Sequence, residues 1–337
     1  MRSQETCLFK ALVLTDMIKS ISLIGLGHIG RIHLKLLKES ANWKVLGIYD
    51  KDVQLTKDLA LQFGVKAFEN IDELIEHSEA ISILTPSSSH FEIAKKAIVA
   101  GKHVFIEKPI TSTLKEAKQL QSLVNEAGVI FQVGSVEVYN PAFISAQPYL
   151  ENPVFIEVHR LAQFTSRGTD VSVVLDLMMH DLELILSLVK SNVRKIQVSG
   201  SPLVSSKVDI ANVRIEFENS VVANLTANRM AFKNSRKFRV FTRDNFVSIN
   251  LLEKITEVIK IKDPLPNSKN LVVDPGNGLA KKEIIFEHPI ILPTNAINEE
   301  LHTFHNNVVS NKVTKGSIED AIRTLELAFD IEEKLNP

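Results

Sequence analysis

The chain has 337 residues, which at roughly 150 residues per domain gives about two domains and rules out one small module. Thirty-nine Lys and Arg against 40 Asp and Glu leave a net charge of −1, without the cationic surplus that nucleic acid or an anionic membrane asks for. An apolar share of 45% with 23% charged residues excludes global disorder, and the single cysteine, Cys7, forbids an intrachain disulfide and suits a reducing cytoplasm.

Residues 1–16 read as an extension ahead of the first strand. Lys10 and Asp16 interrupt its apolar residues and no small-residue cleavage site follows, so a secretory signal is not expected. From residue 19 to about 134, short apolar runs at 21–24, 45–49, 80–84, 103–106 and 130–133 alternate with helical patterns at 28–38, 53–63, 91–100 and 114–127. That alternation predicts a parallel sheet covered on both faces. Gly64, Gly101 and Gly128 stand where helices should stop.

Past residue 140 the rhythm changes. A helical pattern runs to Leu150, an alternating run covers 154–159, and a long apolar helix pattern covers 171–189. Asp176, His180, Asp181 and Glu183 interrupt that pattern and make a membrane span unexpected. Strands without intervening helices follow at 210–217, 221–228, 236–241 and 246–250, the first two joined by a turn at Asn219 and Ser220. The segment 262–282, with three prolines and two glycines, reads as a long mobile loop. Helices at 296–309 and 317–335 close the chain, the second with Ser317 and Asp320 at capping-box spacing. The expected architecture is an α/β domain with a parallel sheet over residues 17–138 and an α+β domain over 139–337 with a mostly antiparallel sheet backed by helices. The last helix can pack back on the first domain.

The chemistry starts at Gly25-Leu26-Gly27-His28-Ile29-Gly30, a G-x-G-x-x-G that directly follows an apolar strand and opens a helix. Gly25 permits the tight turn, Gly27 lets the backbone approach a pyrophosphate, and Gly30 allows close helix-to-strand packing. The helix N-terminus at His28 and Ile29 offers N–H groups to the anion. Asp50, 25 residues after Gly25 at the end of the second strand, can accept the adenosine ribose hydroxyls and would repel a 2′-phosphate. NAD is therefore preferred to NADP.

Lys108 follows another apolar strand, at the edge where doubly wound sheets bind ligands; its ammonium can stabilise an alkoxide or move a proton. Asp176 and His180 lie four apart on one face of an otherwise apolar helix, where a polar line needs partners. A metal would use the same two residue types, but the spacing supplies no third ligand, so no metal is expected.

Together with Thr85-Pro86-Ser-Ser-Ser-His90, Gly101-Lys-His-Val-Phe-Ile-Glu107-Lys108-Pro109 and Asp176-Leu-Met-Met-His180, the glycine turn resembles, in order and spacing, the glucose-fructose oxidoreductase / inositol dehydrogenase (Gfo/Idh/MocA) family. The resemblance covers nearly the whole chain after residue 17. It implies a Rossmann domain followed by an open-faced sheet that forms oligomer contacts, hence a homodimer or homotetramer, and oxidation or reduction of sugar hydroxyls and carbonyls with NAD or NADP. It makes Thr85, Pro86, His90, Glu107 and Lys108 cofactor contacts, Lys108 a catalytic residue as well, and turns Asp176 and His180 toward the substrate, with His180 as general acid or base. The lead-in Asp170-Val-Ser-Val-Val-Leu lacks the glycines that many members carry there.

The run Val133-Gly-Ser-Val-Glu137-Val-Tyr139-Asn140-Pro141-Ala142-Phe143 resembles a G-x-V-E-R-F-N-P stretch of members that act on UDP-N-acetylated hexoses, with Val138 in place of the arginine. It makes Glu137 and Asn140 sugar contacts, although Asn140 is equally suited to cap the helix after Pro141. Arg229, Lys233, Arg236, Lys237 and Arg239 form a basic cluster, either for a nucleotide diphosphate or as a solvated edge. The leading expectation is an NAD-dependent dehydrogenase of a nucleotide-linked N-acetylamino sugar. A dehydrogenase of a free polyol or a non-sugar substrate is the rival within enzymes. A non-catalytic NAD sensor is the rival outside them, and it would need neither Lys108 nor His180.

Overall fold

A computed structural model of the chain describes residues 18–165, 169, 171–266 and 268–335. The extension expected over residues 1–16 lies outside the described residues. The chain divides into two units: the first runs to Ser135 and takes up Ile297–Ile322, and the second holds Val136–Ala296 and the chain from Arg323 on.

In the first unit β1 (Lys19–Ile24), α1 (His28–Glu39), β2 (Trp43–Tyr49), α2 (Val53–Phe63), β3 (Lys66–Ala67), α3 (Ile71–His77), β4 (Ala80–Ile83), α4 (His90–Val99), β5 (His103–Ile106), α5 (Leu114–Ala127) and β6 (Phe131–Val133) alternate along the chain. Among the described residues six parallel strands pair in the order β3-β2-β1-β4-β5-β6, which puts the switch point between β1 and β4. All four residues of β4 are buried, because helices cover both faces and leave no wet side for alternation. Gly64 and Gly128 take the left-handed conformation at the ends of α2 and α5, as their positions predicted. Two elements went unread in the sequence: β3, only two residues long, and α3, seven residues capped by Asn70.

The helix Ala296–Ser310, expected in the second domain, packs on this parallel sheet instead. Phe304 stacks on Trp43 at 5.3 Å and meets Phe105 edge-on, while the Trp43 indole N–H donates to the Leu301 carbonyl. The apolar stripe Leu301, Phe304, Val308 completes a core that β1 and β2 leave open at one end. The last helix, Ile318–Leu335, belongs to the second unit from Arg323 on, so the helix that returns to the first unit is the penultimate one.

The second unit carries α6 (Pro141–Ala146), β7 (Phe155–Leu161), a π-helical turn (Val174–Met178) running into α7 (Met179–Leu188), and then β8 (Val193–Ser201), β9 (Ile210–Phe217), β10 (Val222–Asn228), β11 (Ser235–Phe241), β12 (Asn245–Asn250), β13 (Ile255–Lys262), β14 (Leu271–Val273) and β15 (Lys282–Glu287). They form a sheet in the order β14-β15-β13-β12-β11-β7-β10-β9-β8, antiparallel except where β7 pairs with β10. The segment 262–282 thus contains a short strand as well as a loop. The buried carboxylate of Glu283 ties that loop down through Ser268, Asn270 and the Leu265 N–H.

In β9, Ala211, Val213, Ile215 and Phe217 are buried, while Asn212, Arg214 and Glu216 look outward. The outward rows of β7, β10 and β11 add Glu157, His159, Asn224, Thr226, Lys237 and Arg239. The outward face is therefore largely polar, because period-2 alternation sends the charged half of each strand outward. Its aromatic residues gather at one end, where Phe241 packs against Phe155 and Phe246. No helix among the described residues is long and apolar enough to cross a membrane.

Candidate functional site

In the first unit, a candidate cofactor site is built by the carboxyl ends of β1, β4 and β5. Gly25 leaves β1 at φ +100°, and a Cβ there would sit 2.6 Å from the Leu84 carbonyl carbon. A Cβ at Gly30 would run into the carbonyl of Gly25, so helix and turn meet backbone to backbone. Around Gly27 the opposite holds: a Cβ there would meet nothing within 4 Å. Gly27 is also the N-cap of α1 and contributes no side-chain cap, while His28 and Ile29 lie exposed in the first turn. An open cradle of backbone N–H groups at the positive end of a helix fits a dinucleotide diphosphate.

Asp50 stands at the end of β2, and its carboxylate accepts the Leu26 N–H at 2.7 Å and the Asp52 N–H at 3.0 Å. It braces the glycine turn, a duty that sequence spacing did not reveal. Thr85 and Pro86 lead from β4 into a 3-10 turn, Ser87–Ser89, where the Ser89 hydroxyl bonds the Thr85 hydroxyl at 2.8 Å. His90 is buried, with Nδ1 at 2.9 Å from the Pro109 carbonyl and Nε2 at 2.8 Å from the Thr85 carbonyl. Burial lowers its pKa against the pull of those carbonyls. Its ring nitrogens are thereby turned to the protein, so His90 binds the loop after β4 to the loop after β5 instead of presenting a ring nitrogen to a cofactor.

Glu107 and Lys108 follow β5 and are half-buried. Glu107 turns inward: Oε1 lies 3.4 Å from Nε2 of His33 on α1, and Oε2 accepts the Lys108 N–H at 3.3 Å. Burial pushes its carboxyl up, but His33 and Lys108 outweigh it and hold the group below the usual range. Gly134 leaves room for this carboxylate, since a Cβ there would come within 2.8 Å of Oε2. His33, three residues past Gly30 and fully buried against Phe105, was not singled out in the sequence.

The second unit holds a cleft of about 220 Å³ lined by Asp176, Leu177, Arg160, Arg229, Arg236 and Gln163, among others. Asp176 sits in the π-helical turn, and His180, half-buried, stands in the first turn of α7. A regular α-helix was expected here. The π turn, with its i→i+5 hydrogen bonding, widens the helix at Asp176 just before the α-helical turn that carries His180.

Glu137 and Asn140, expected to meet the sugar, are buried and serve the fold. Asn140 caps α6 through the Ala142 N–H and donates to the Leu251 carbonyl at 2.9 Å. Glu137 accepts two bonds from Arg160 at 3.0 Å and one from Arg236 at 3.2 Å. Arg160 also grips Asp181 with a fork at 2.7 and 2.8 Å. Burial works against the Arg160 charge, but Asp181 and Glu137 raise its pKa above the ordinary value; burial likewise pushes Asp181 up against Arg160's pull. Glu137 thus shapes the cleft from beneath, through two arginines that line it. Of the basic cluster, Arg229 and Arg236 reach the cleft, whereas Lys237 and Arg239 look to the opposite face of the sheet, where Arg239 pairs with Glu157 at 2.9 Å. Strand alternation splits a cluster that was continuous in sequence. Among the described residues no group of three or more His, Cys, Asp or Glu could hold a metal ion.

Residues 19–135 match the model of an oxidoreductase family with an NAD-binding Rossmann fold. The chain is 33% identical over 236 residues to a UDP-N-acetylglucosamine 3-dehydrogenase of Acidithiobacillus ferrooxidans, covering 70% of this chain and 75% of the relative. It is 24% identical over 335 residues to a myo-inositol 2-dehydrogenase of Thermotoga maritima, covering 94% and 96%. Among solved structures, one of the Acidithiobacillus enzyme superposes with a TM-score of 0.85 at 27% identity, over 94% of this chain and 97% of that one. With the glycine turn, the strand order and the antiparallel second sheet in place, the chain belongs to the Gfo/Idh/MocA family of NAD-binding oxidoreductases and is a dehydrogenase acting on CH–OH groups.

Proposed function

We propose that the enzyme oxidises a ring hydroxyl of a nucleotide-linked N-acetylamino sugar and prefers NAD to NADP. The observation that carries the substrate half is the 33% identity, over three quarters of its length, to a relative named for UDP-N-acetylglucosamine. Asp50 supports the preference for NAD, since a carboxylate at the end of β2 would accept the ribose hydroxyls and its charge would oppose a 2′-phosphate.

NAD supplies, when bound, the acceptor for the hydride. The glycine turn holds the diphosphate on backbone N–H groups, and Asp50 takes the ribose hydroxyls. Lys108 stabilises the oxyanion that develops on the sugar oxygen, and the hydroxyl proton leaves toward His180 or Lys108. Asp176 orients the sugar at the cleft. The enzyme works in the cytoplasm as a homodimer or homotetramer through the second sheet. Oxidation of UDP-N-acetylglucosamine, its uronic acid and a panel of free polyols, followed as NADH at 340 nm, tests the substrate. Turnover of the nucleotide sugars is expected. Turnover of a polyol or a non-sugar alcohol alone overturns the substrate half and leaves the dehydrogenase standing.

A further inference from the structure

Arg229 follows β10 with only 4% of its side chain exposed, yet it lines the cleft. Its guanidinium is fixed from behind. Nη2 donates to the Val171 carbonyl at 2.8 Å, Nε lies 3.7 Å from Asp209 Oδ1, and the Arg229 main-chain N–H donates to the Asp209 carbonyl at 3.1 Å.

Asp209 is itself immobile. It is fully buried, Oδ2 accepts the backbone N–H groups of Leu203, Val204 and Ser205 at 2.7, 2.7 and 2.9 Å, and Oδ1 accepts the Ser205 hydroxyl at 2.7 Å. Burial pushes its carboxyl up, but those donors outweigh it and hold the group far below the usual range. With four hydrogen bonds already made, Asp209 does not depend on Arg229 for its charge. Arg229 depends on Asp209 for its place.

On its cleft side Arg229 faces Asp176, with Nη2 at 3.8 Å from Oδ2. Val171, which Arg229 also holds, begins the stretch that enters the π turn, and the Val173 N–H is tied to the Val208 carbonyl at 2.9 Å. One guanidinium therefore connects the loop folded on Asp209, the lead-in to the Asp176–His180 motif, and the Asp176 carboxylate itself.

We infer that Arg229 is a positioning residue for the reaction: anchored by Asp209 and Val171, it keeps the Asp176 carboxylate directed into the cleft, one turn ahead of His180. The inference rests on reading Asp176 as a substrate-facing group. Its physical basis is that a carboxylate at a partly exposed cleft samples several rotamers, and a fixed guanidinium beside it selects one.

The test compares Arg229→Met, Asp176→Asn and the double variant with the wild type. It reads thermal midpoint, NADH affinity by fluorescence, and kcat/KM for UDP-N-acetylglucosamine. Arg229→Met should leave NADH affinity unchanged and lower kcat/KM roughly 10²-fold, the scale of a misplaced reacting group. The double variant should be no worse than Asp176→Asn alone, since both changes remove one effect. Guanidinium added to Arg229→Ala should restore at least part of the rate without moving the thermal midpoint. A merely structural arginine would give the reverse pattern.

If Arg229→Met does not fold, Arg229→Lys carries the test: one ammonium cannot sit beside Asp209, as Nε does, and also reach Val171 and Asp176, as Nη2 does, so the rate falls while the midpoint holds, and a wild-type rate overturns the inference. A crystal structure of either folded variant gives a readout free of substrate. The Asp176 carboxylate should leave its wild-type position, and an unmoved carboxylate overturns the inference. An Asp176→Asn enzyme of wild-type rate overturns the reading of Asp176, whereas an active Arg229→Met enzyme beside an inactive Asp176→Asn enzyme overturns the role of Arg229 alone.

Discussion

At the glycine turn the working surface is backbone: Gly25 turns, Gly30 lets α1 meet β1, and Gly27 leaves the cradle open. In the second unit the cleft is walled by side chains, with Arg160, Arg229 and Arg236 each tied to carboxylates beneath or beside it. The two regions differ in what a substitution removes. At the turn an added atom blocks a shape; at the cleft a deleted partner strands a charge. A backbone cradle suits a ligand part common to many enzymes, the diphosphate. Paired side chains can be exchanged one at a time and suit the part that varies.

The largest effect should come from the cleft. Arg160→Ala leaves Glu137 and Asp181 buried without their shared guanidinium, a loss expected to cost about 3–5 kcal/mol, read as a shift in urea midpoint. A shift under about 1 kcal/mol would mean that water reaches these carboxylates and that the comparison is wrong on that side. At the turn, Gly30→Ala should cost about 1–3 kcal/mol through overpacking against the Gly25 carbonyl and abolish NADH binding. Gly27→Ala separates shape from stability: with nothing near its Cβ, the urea midpoint should stay within about 0.5 kcal/mol while NADH affinity falls roughly tenfold or more.

Acid provides a graded test of the charged region. The pKa values of Asp209 and Glu107 are lowered in the fold. Their stabilisation is therefore complete above the ordinary carboxylate range, near pH 4, and is lost as pH falls through the folded values. The urea midpoint should drop on acidification below about pH 5, and Asp209→Asn should flatten that slope. A slope unchanged in the variant would contradict the hold of the four donors on Asp209. The smallest effect is at Asp50: Asp50→Ser should narrow the gap between NADH and NADPH and also weaken NADH, because the Leu26 N–H loses its acceptor.

The parallel sheet and its glycines were legible in the sequence because each depends on neighbours in the chain: strand, turn, helix, cap. Asp50 was legible as a position but not as a brace, since its bond to Leu26 spans 24 residues. The return of the helix Ala296–Ser310 to the first unit was hidden, because its apolar stripe fits either unit and only the gap over Trp43 decides. In the second unit, Asp176 and His180 stood out by their spacing, whereas the charges that frame them did not. Arg160 sits in an alternating strand like any outward arginine, and Asp181 and Glu137 find it from 21 and 23 residues away. Glu137 was read as a ligand, and Asn140 as a ligand or a cap, because local sequence shows a polar residue but not what it already bonds; Asn140 is the cap. The basic cluster, read either as a diphosphate site or as a solvated edge, divides between cleft and open face, since near neighbours on strand-like sequence do not share a face.

The central claim is that Lys108 and His180 act on the transition state while the glycine turn holds the cofactor. Steady-state oxidation of UDP-N-acetylglucosamine by Lys108→Ala and His180→Ala, measured beside NADH affinity for the same proteins, tests it directly. Each variant should lose roughly 10²-fold or more in kcat with NADH affinity nearly unchanged, the scale of a lost acid–base or oxyanion contact. Wild-type turnover in either variant, or a loss that follows NADH affinity instead of kcat, would contradict it.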